Sequence, residues 1–204
     1  MAILNFAFCS MTRSLGRSLN SAARFGRIFT AMILALSVVS SAPAQTISAE
    51  YKLKAVFLYN FVQFVDWPAS AFNNEQSPLI IGVLGTDPFG KFLDATVRGE
   101  VVKNRRLEIR RYKNVDEIGN CHVLFISASH AGNLNSILAG LKERSILTVS
   151  DTEEFARSGG MVRFITENHK IRFRINVEVV KAAHLTISSK LLQLAEITSA
   201  EQRP

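Results

Sequence analysis

Leu79-Ile80-Ile81-Gly82-Val83-Leu84, followed at once by Gly85-Thr86-Asp87-Pro88-Phe89-Gly90, decides the fold class. An apolar run of strand length, closed by a glycine-bounded turn, reads as a buried strand. Pro88 has its φ already set for a first helical turn, so a short helix is expected through about Val97. The alternation recurs downstream. Arg106-Leu107-Glu108-Ile109-Arg110 alternates charge with hydrocarbon, as a half-exposed strand does. Val115 to Gly119 reads as a short helical turn. His122 to Ile126 and Ile146 to Val149 read as core strands. Between them, Leu134, Ile137, Leu138 and Leu141 share one face of a helix. Strands alternating with helices predict a single-domain α/β fold, its largely parallel mixed sheet flanked by helices.

The sheet is expected to end in a C-terminal β-hairpin. With the turn at Asn168-His169, where asparagine tolerates the left-handed region, Val162 faces Ile175, Phe164 faces Phe173 and Thr166 faces Ile171. The other face then sets Arg163 opposite Arg174 and Ile165 opposite Arg172, and the period-2 pattern of both strands agrees with this register. Ser150, three residues before Glu153, fits a capping box for a short helix to about Arg157, ended by Gly159-Gly160. Asn176 begins a helix carrying Val177, Val180 and Ala183. Ser188 or Ser189 caps a last one carrying Leu191, Leu192 and Ala195.

Upstream, Tyr51 to Trp67 reads as a helix that Pro68 stops, because a proline pushes the preceding residue out of the helical region. At 100° per residue, Lys52, Asn60, Gln63 and Asp66 share a narrow polar stripe. Phe57, Leu58, Phe61, Val62, Phe64 and Val65 fill most of the remainder, and Lys54 is the misfit. One apolar stripe would satisfy a surface helix, so the second side is either covered by a C-terminal helix or left for a dimer or partner contact. Phe57, Phe61, Phe64 and Trp67 are the candidate contact residues. The Arg163/Arg174 pair with Arg172 is a second candidate. Like charges directly opposite on a sheet repel, and an acidic partner, a ligand anion or local glutamates would relieve them; otherwise the face is simply solvated.

Residues 1–44 read as a signal peptide. Arg13, Arg17, Arg24 and Arg27 form a basic start without acids, Ile28 to Val39 is a short apolar run, and Ala42-Pro43-Ala44 suits a cut after Ala44. The apolar run is short for a bilayer, so an uncleaved anchor is the lesser alternative. Met11 is a second candidate start. Residues 45–204 then form the domain. Four of the 24 Lys/Arg leave with the leader, so 20 bases face 17 acids and the excess falls to +3, no case for nucleic-acid binding. Cys121 is the one thiol after the leader, so no intrachain disulfide can form there. It is either buried and inert or paired between chains.

Catalytic patterns are missing. Ser127-Ala128-Ser129-His130 puts a hydroxyl beside an imidazole but lacks a nucleophile elbow, leaving a hydrolase around Ser129 and His130 as the weakest reading. His122, His130, His169 and His184 show no ligand spacing, so no metal or cofactor is expected. Gly85 and Asp87 follow a strand and open a helix, where α/β folds bind small ligands, yet phosphate-cradling glycines are absent.

Several phrases together resemble the YfiR family of exported bacterial proteins. They are Tyr51-Lys52-Leu53-Lys54-Ala55 through Phe64-Val65-Asp66-Trp67-Pro68, then Ile81 to Gly90, Cys121 to Ser127, and Leu147-Thr148-Val149-Ser150-Asp151. Phe155, Gly159-Gly160-Met161, Phe164, Ile171 to Asn176 and Leu185 to Leu192 continue the likeness. The resemblance implies a periplasmic protein without enzymatic activity. It implies a negative regulator that binds the periplasmic domain of an inner-membrane diguanylate cyclase, so lowering cyclic di-GMP and biofilm formation. An OmpA-type outer-membrane lipoprotein as a sequestering partner and a homodimer are implied as well. The lone Cys121 departs from the disulfide-bearing members. The alternative is a periplasmic small-molecule sensor feeding a membrane kinase or transporter.

Overall fold

Ser48 opens the described fold; the computed structural model describes residues 48–168 and 170–198. The expected leader, its cut after Ala44 and His169 of the hairpin turn lie outside them. Helix α1 spans Ala49–Phe64, and the Ser48 Oγ accepts the Tyr51 N–H at 3.3 Å as its N-cap. The helix expected to reach Trp67 ends earlier, and pairing rather than Pro68 ends it. Val65 turns to φ −114°, ψ 138°. Val65–Asp66 (β1) then pairs antiparallel with Thr186–Ile187 (β9), while the Ser188 N–H donates to the Phe64 carbonyl at 2.8 Å. A β-branched residue suits that extended ladder better than a helix end.

The main sheet takes β2 (Leu79–Leu84), β3 (Val101–Val102), β4 (Arg105–Tyr112), β5 (Val123–Ile126), β6 (Leu147–Ser150), β7 (Val162–Glu167), β8 (Lys170–Asn176) and β10 (Glu196–Thr198). Their order is β10-β8-β7-β6-β5-β2-β4-β3. Strands β4, β2, β5, β6 and β7 run parallel, β8 returns antiparallel to β7, β10 runs parallel to β8, and β3 is antiparallel to β4. The hairpin register is the expected one: Val162 faces Ile175, Phe164 faces Phe173, and Arg163 faces Arg174. Asn168 holds the turn at φ 49°.

Strand β2 is buried along its whole length because both faces of the sheet are covered. On one face Phe61, Val62, Phe89, Phe125, Phe164 and Phe173 form the larger core under α1 and α2 (Lys91–Val97). On the other, Leu124, Ile126, Phe155 and Tyr112 pack with Leu134, Ile137 and Leu141 of α3 (Leu134–Leu141). Helix α4 (Val177–Ala182) is capped by Asn176, and α5 (Ser189–Leu194) by Ser188. The capping box expected at Ser150 is absent. Ser150 is buried, its hydroxyl donates to the Ile126 carbonyl at 2.7 Å, and only a 3₁₀ turn, Glu153–Phe155, follows. Cys121 is buried as well, and burial pushes its thiol up to about 12, so it is inert as it stands.

Candidate functional site at the carboxyl end of the sheet

The misfit of the first helix organises this end of the molecule. Lys54 is 2 % exposed, on the face of α1 turned toward the carboxyl end of β6. A buried ammonium needs partners, and it has two carboxylates. Its Nζ donates to Asp151 Oδ2 at 2.7 Å and pairs with Glu50 Oε1, one helical turn earlier, at 2.6 Å. The Tyr51 hydroxyl donates to the same Asp151 oxygen at 2.9 Å, and the Thr166 hydroxyl on β7 donates to Glu50 at 2.8 Å. The ammonium also lies 4.6 Å from the Tyr51 ring centroid. The Lys54 hydrogen bond, with a smaller pull from Thr166, holds the Glu50 carboxyl below its ordinary range against the opposing cost of burial. Burial, then the Asp151 charge, push the Tyr51 phenol upward. The cluster ties α1, β6 and β7 together by charge-assisted hydrogen bonds.

Beside it opens a cleft of about 460 Å³, whose walls include Lys54, Asp151, Glu153, Arg163 and Thr166. Arg163 belongs to a row crossing four strands: Ser150 on β6, Arg163 on β7, Arg174 on β8 and Glu196 on β10 are neighbours in register. Glu196 relieves the expected repulsion from within the chain. Its carboxylate accepts from Arg174 Nε at 2.9 Å and from Arg172 at 3.3 Å, and those bonds hold it below its ordinary range. Arg163 is the unrelieved member. Its Nε is buried and has no hydrogen-bond partner among the described residues.

The four aromatic residues proposed for a partner surface do not stand together on one. Phe61 is fully buried, 5.7 Å from Phe164 and 5.4 Å from Phe173 between ring centroids. Phe57 packs on the same rings and is half-buried, as are Phe64 and Trp67. Trp67 donates from Nε1 to the His122 carbonyl at 3.1 Å. The exposed apolar residues of α1 are Leu53 and Val56, at 44 % and 37 %. They lie one turn apart beside Lys52 and Gln63, a stripe that 3.6-residue periodicity could have isolated.

Gly85 and Asp87 are occupied by the protein itself. Gly85 sits at φ 89°, and a Cβ there would fall 2.3 Å from the Ser129 Oγ. The Ser129 hydroxyl accepts the Thr86 N–H at 3.0 Å, while His130 Nε2 lies 3.2 Å from the Lys113 carbonyl. Asp87 accepts from the Phe89 N–H and from Arg111 Nε, both at 2.7 Å. Ser129 and His130 each serve this turn and are not hydrogen-bonded to one another. Among the described residues, no group of His, Cys, Asp and Glu could hold a metal ion, and no helix is long and apolar enough to cross a membrane.

The sequence profile of the YfiR/HmsC-like family matches residues 51–196, well over half of the chain. The chain belongs to the YfiR/HmsC-like family. The span of that YfiR/HmsC-like match opens on Tyr51, which holds Asp151, and closes on Glu196, which holds Arg172 and Arg174. It therefore coincides with the folded unit and takes in every residue of both clusters except Glu50. No curated protein matches the chain.

Proposed function

We propose that this chain is an exported binding regulator without enzymatic activity. It acts in the periplasm as a negative regulator of an inner-membrane diguanylate cyclase, by holding the cyclase's periplasmic domain. The observation that supports this reading is the extent of the family match, which runs through the described fold rather than one motif. Leu53 and Val56, with the half-buried Phe57 one turn on from Leu53, supply an apolar contact. Arg163, with Arg172 and Arg174 beside it, supplies a basic one. The regulator must hold the inactive cyclase more tightly than the active one, since only differential affinity moves an equilibrium; a swing from 1:99 to 99:1 needs about 5.5 kcal/mol. An OmpA-type outer-membrane lipoprotein that competes for the same surface would release the cyclase, and a homodimer would present the surface twice.

The test is deletion of the gene with measurement of cyclic di-GMP. Loss of the chain should raise cyclic di-GMP, the wild-type gene should restore it, and a gene carrying Leu53→Asp and Val56→Asp should not, although the variant folds. An unchanged level after deletion refutes the regulatory reading. The cleft at Lys54 favours a second reading, a small-molecule sensor whose ligand sits there rather than at Gly85 and Asp87. Calorimetric binding of a periplasmic metabolite, abolished by Arg163→Gln, would favour it.

A further inference from the structure

We infer that the bare outer edge of β4 docks an extended, acidic segment of another protein, which adds to the sheet as a further strand. Strand β4 pairs with β2 from Leu107 to Tyr112, but on its other side β3 reaches only Arg105 and Arg106. Among the described residues, no further strand of the sheet lies outside it. The Tyr112 carbonyl accepts the Gly85 N–H on the β2 side, whereas the Leu107 N–H donates outward to the Glu100 carbonyl at 3.2 Å. Strand alternation therefore aims the N–H and C=O groups of Ile109 and Arg111 outward, away from β2. Such an edge is a template for another strand.

The side chains choose which strand. Residues 103–113 hold Lys103, Arg105, Arg106, Arg110, Arg111 and Lys113 against the single acid Glu108. Arg111 is held by Asp87 and Asp94, Arg110 by Glu108, and Lys103 by Asp66. Arg106 and Lys113 are exposed and have no ion pair among the described residues. Two β4 edges brought together would oppose like charges, so the edge repels its own copy. An acidic strand meets complementary charge on side chains that flank the free backbone groups, which provides both selection and register. The inference is independent of the cyclase reading, because any acidic extended partner satisfies it.

The test uses the mature protein and three synthetic peptides: one alternating Glu and Val, one alternating Lys and Val, and the acidic peptide N-methylated at alternate residues. Amide hydrogen exchange and fluorescence anisotropy are read together. The acidic peptide should bind and slow exchange at the Ile109 and Arg111 amides, and the other two should not bind. Arg106→Glu with Lys113→Glu, whose exposed side chains make no ion pair among the described residues, should weaken binding by about tenfold or more. The inference is overturned if the acidic peptide does not bind, if the N-methylated peptide binds equally, or if the two amides stay unprotected. Capture by anionic phosphatidylglycerol vesicles in place of the peptide would equally overturn it, marking a lipid-facing charge rather than a strand edge.

Discussion

Acid should loosen the amino end of the sheet through one imidazole. His122 is 1 % exposed, immediately before β5. Its Nδ1 accepts the Ile80 N–H at 3.1 Å, so the neutral ring carries its proton on Nε2. Protonating Nδ1 would set a donor against a donor. The ring stacks on Phe72 at 4.5 Å and meets the Trp67 edge at 5.9 Å, so water cannot stabilise the charge there. Burial above all, with the positive charges of Arg105 and Arg110, pushes this imidazole down to about 4 from its usual 6.5. Between those values the unfolded chain binds more protons than the folded one, so stability rises with pH. The contribution is whole above 6.5 and drains away as pH falls toward 4. A gap of about 2.5 pKa units at 1.36 kcal/mol each sets a ceiling of about 3.4 kcal/mol. Carboxylates held low, such as Glu50 and Asp94, give up their share only as pH falls through their own lower range, so they do not set the upper part of this window. The assay is urea unfolding in steps from about pH 7 to pH 4, read by the emission of Trp67, the single tryptophan. The native protein should lose about 2–3 kcal/mol. His122→Asn, which keeps an acceptor for the Ile80 N–H, should start about 1–3 kcal/mol less stable and then stay nearly flat. A folded-state His122 titrating near 6.5 by NMR, or an unchanged slope in the variant, would refute the reasoning.

Lys54→Ala should cost about 3–5 kcal/mol, because it strands Asp151 and Glu50. Combining Lys54→Met with Asp151→Asn and Glu50→Gln should recover most of that loss in urea midpoint. Gly160→Ala should cost about 1–3 kcal/mol by overpacking, since its Cβ would fall 2.3 Å from the buried Phe155 ring; thermal melting checks it against the native chain. Arg163→Gln should leave stability within about 0.5 kcal/mol or raise it, since the arginine has no ion pair among the described residues and opposes Arg174. Arg174→Gln should lower stability slightly with the loss of its solvent-screened Glu196 bond, and the same urea series separates the two.

The parts of this fold that were legible in the sequence are those held by contacts local in the chain. The β7–β8 register follows from two short periodic strands and one asparagine, and α3 matches its expected bounds, Leu134 to Leu141. Long-range pairings were not legible. The end of α1 depends on Ile187, more than a hundred residues away, so the proline beside it looked sufficient. Lys54 looked like a misfit because its partner Asp151 lies 97 residues on. Strand β10 follows α5 without a turn signal, yet it carries Glu196, the acid that settles the arginine row. A neutralising glutamate was foreseeable as a type of residue but not as this one. Ser150 misled through its spacing to Glu153: the capping pattern was there, but the hydroxyl was already committed to β5.

Where α/β folds place their chemistry, this one has filled the space. From β2 the chain adds β4 on one side and β5 on the other, so the carboxyl end of β2 is the topological switch point where a crevice is expected. Gly85, Thr86 and Asp87 stand there. The Ser129 side chain enters the crevice because Gly85 has no Cβ, and Thr86 bonds it in place. Arg111 closes the other flank by joining Asp87 to Asp94 and to the Gly90 carbonyl at 3.0 Å. A ligand entering would have to displace a hydrogen-bonded hydroxyl and a doubly paired guanidinium, each costly to leave unsatisfied. The open cleft lies instead beyond β6 and β7, where the buried Lys54 already has both carboxylates and the Arg163 Nε has no hydrogen-bond partner among the described residues. An interior so committed is consistent with the contacts proposed above, all of which lie on the rim: Leu53 and Val56 on α1, Arg163 on β7, and the outer edge of β4.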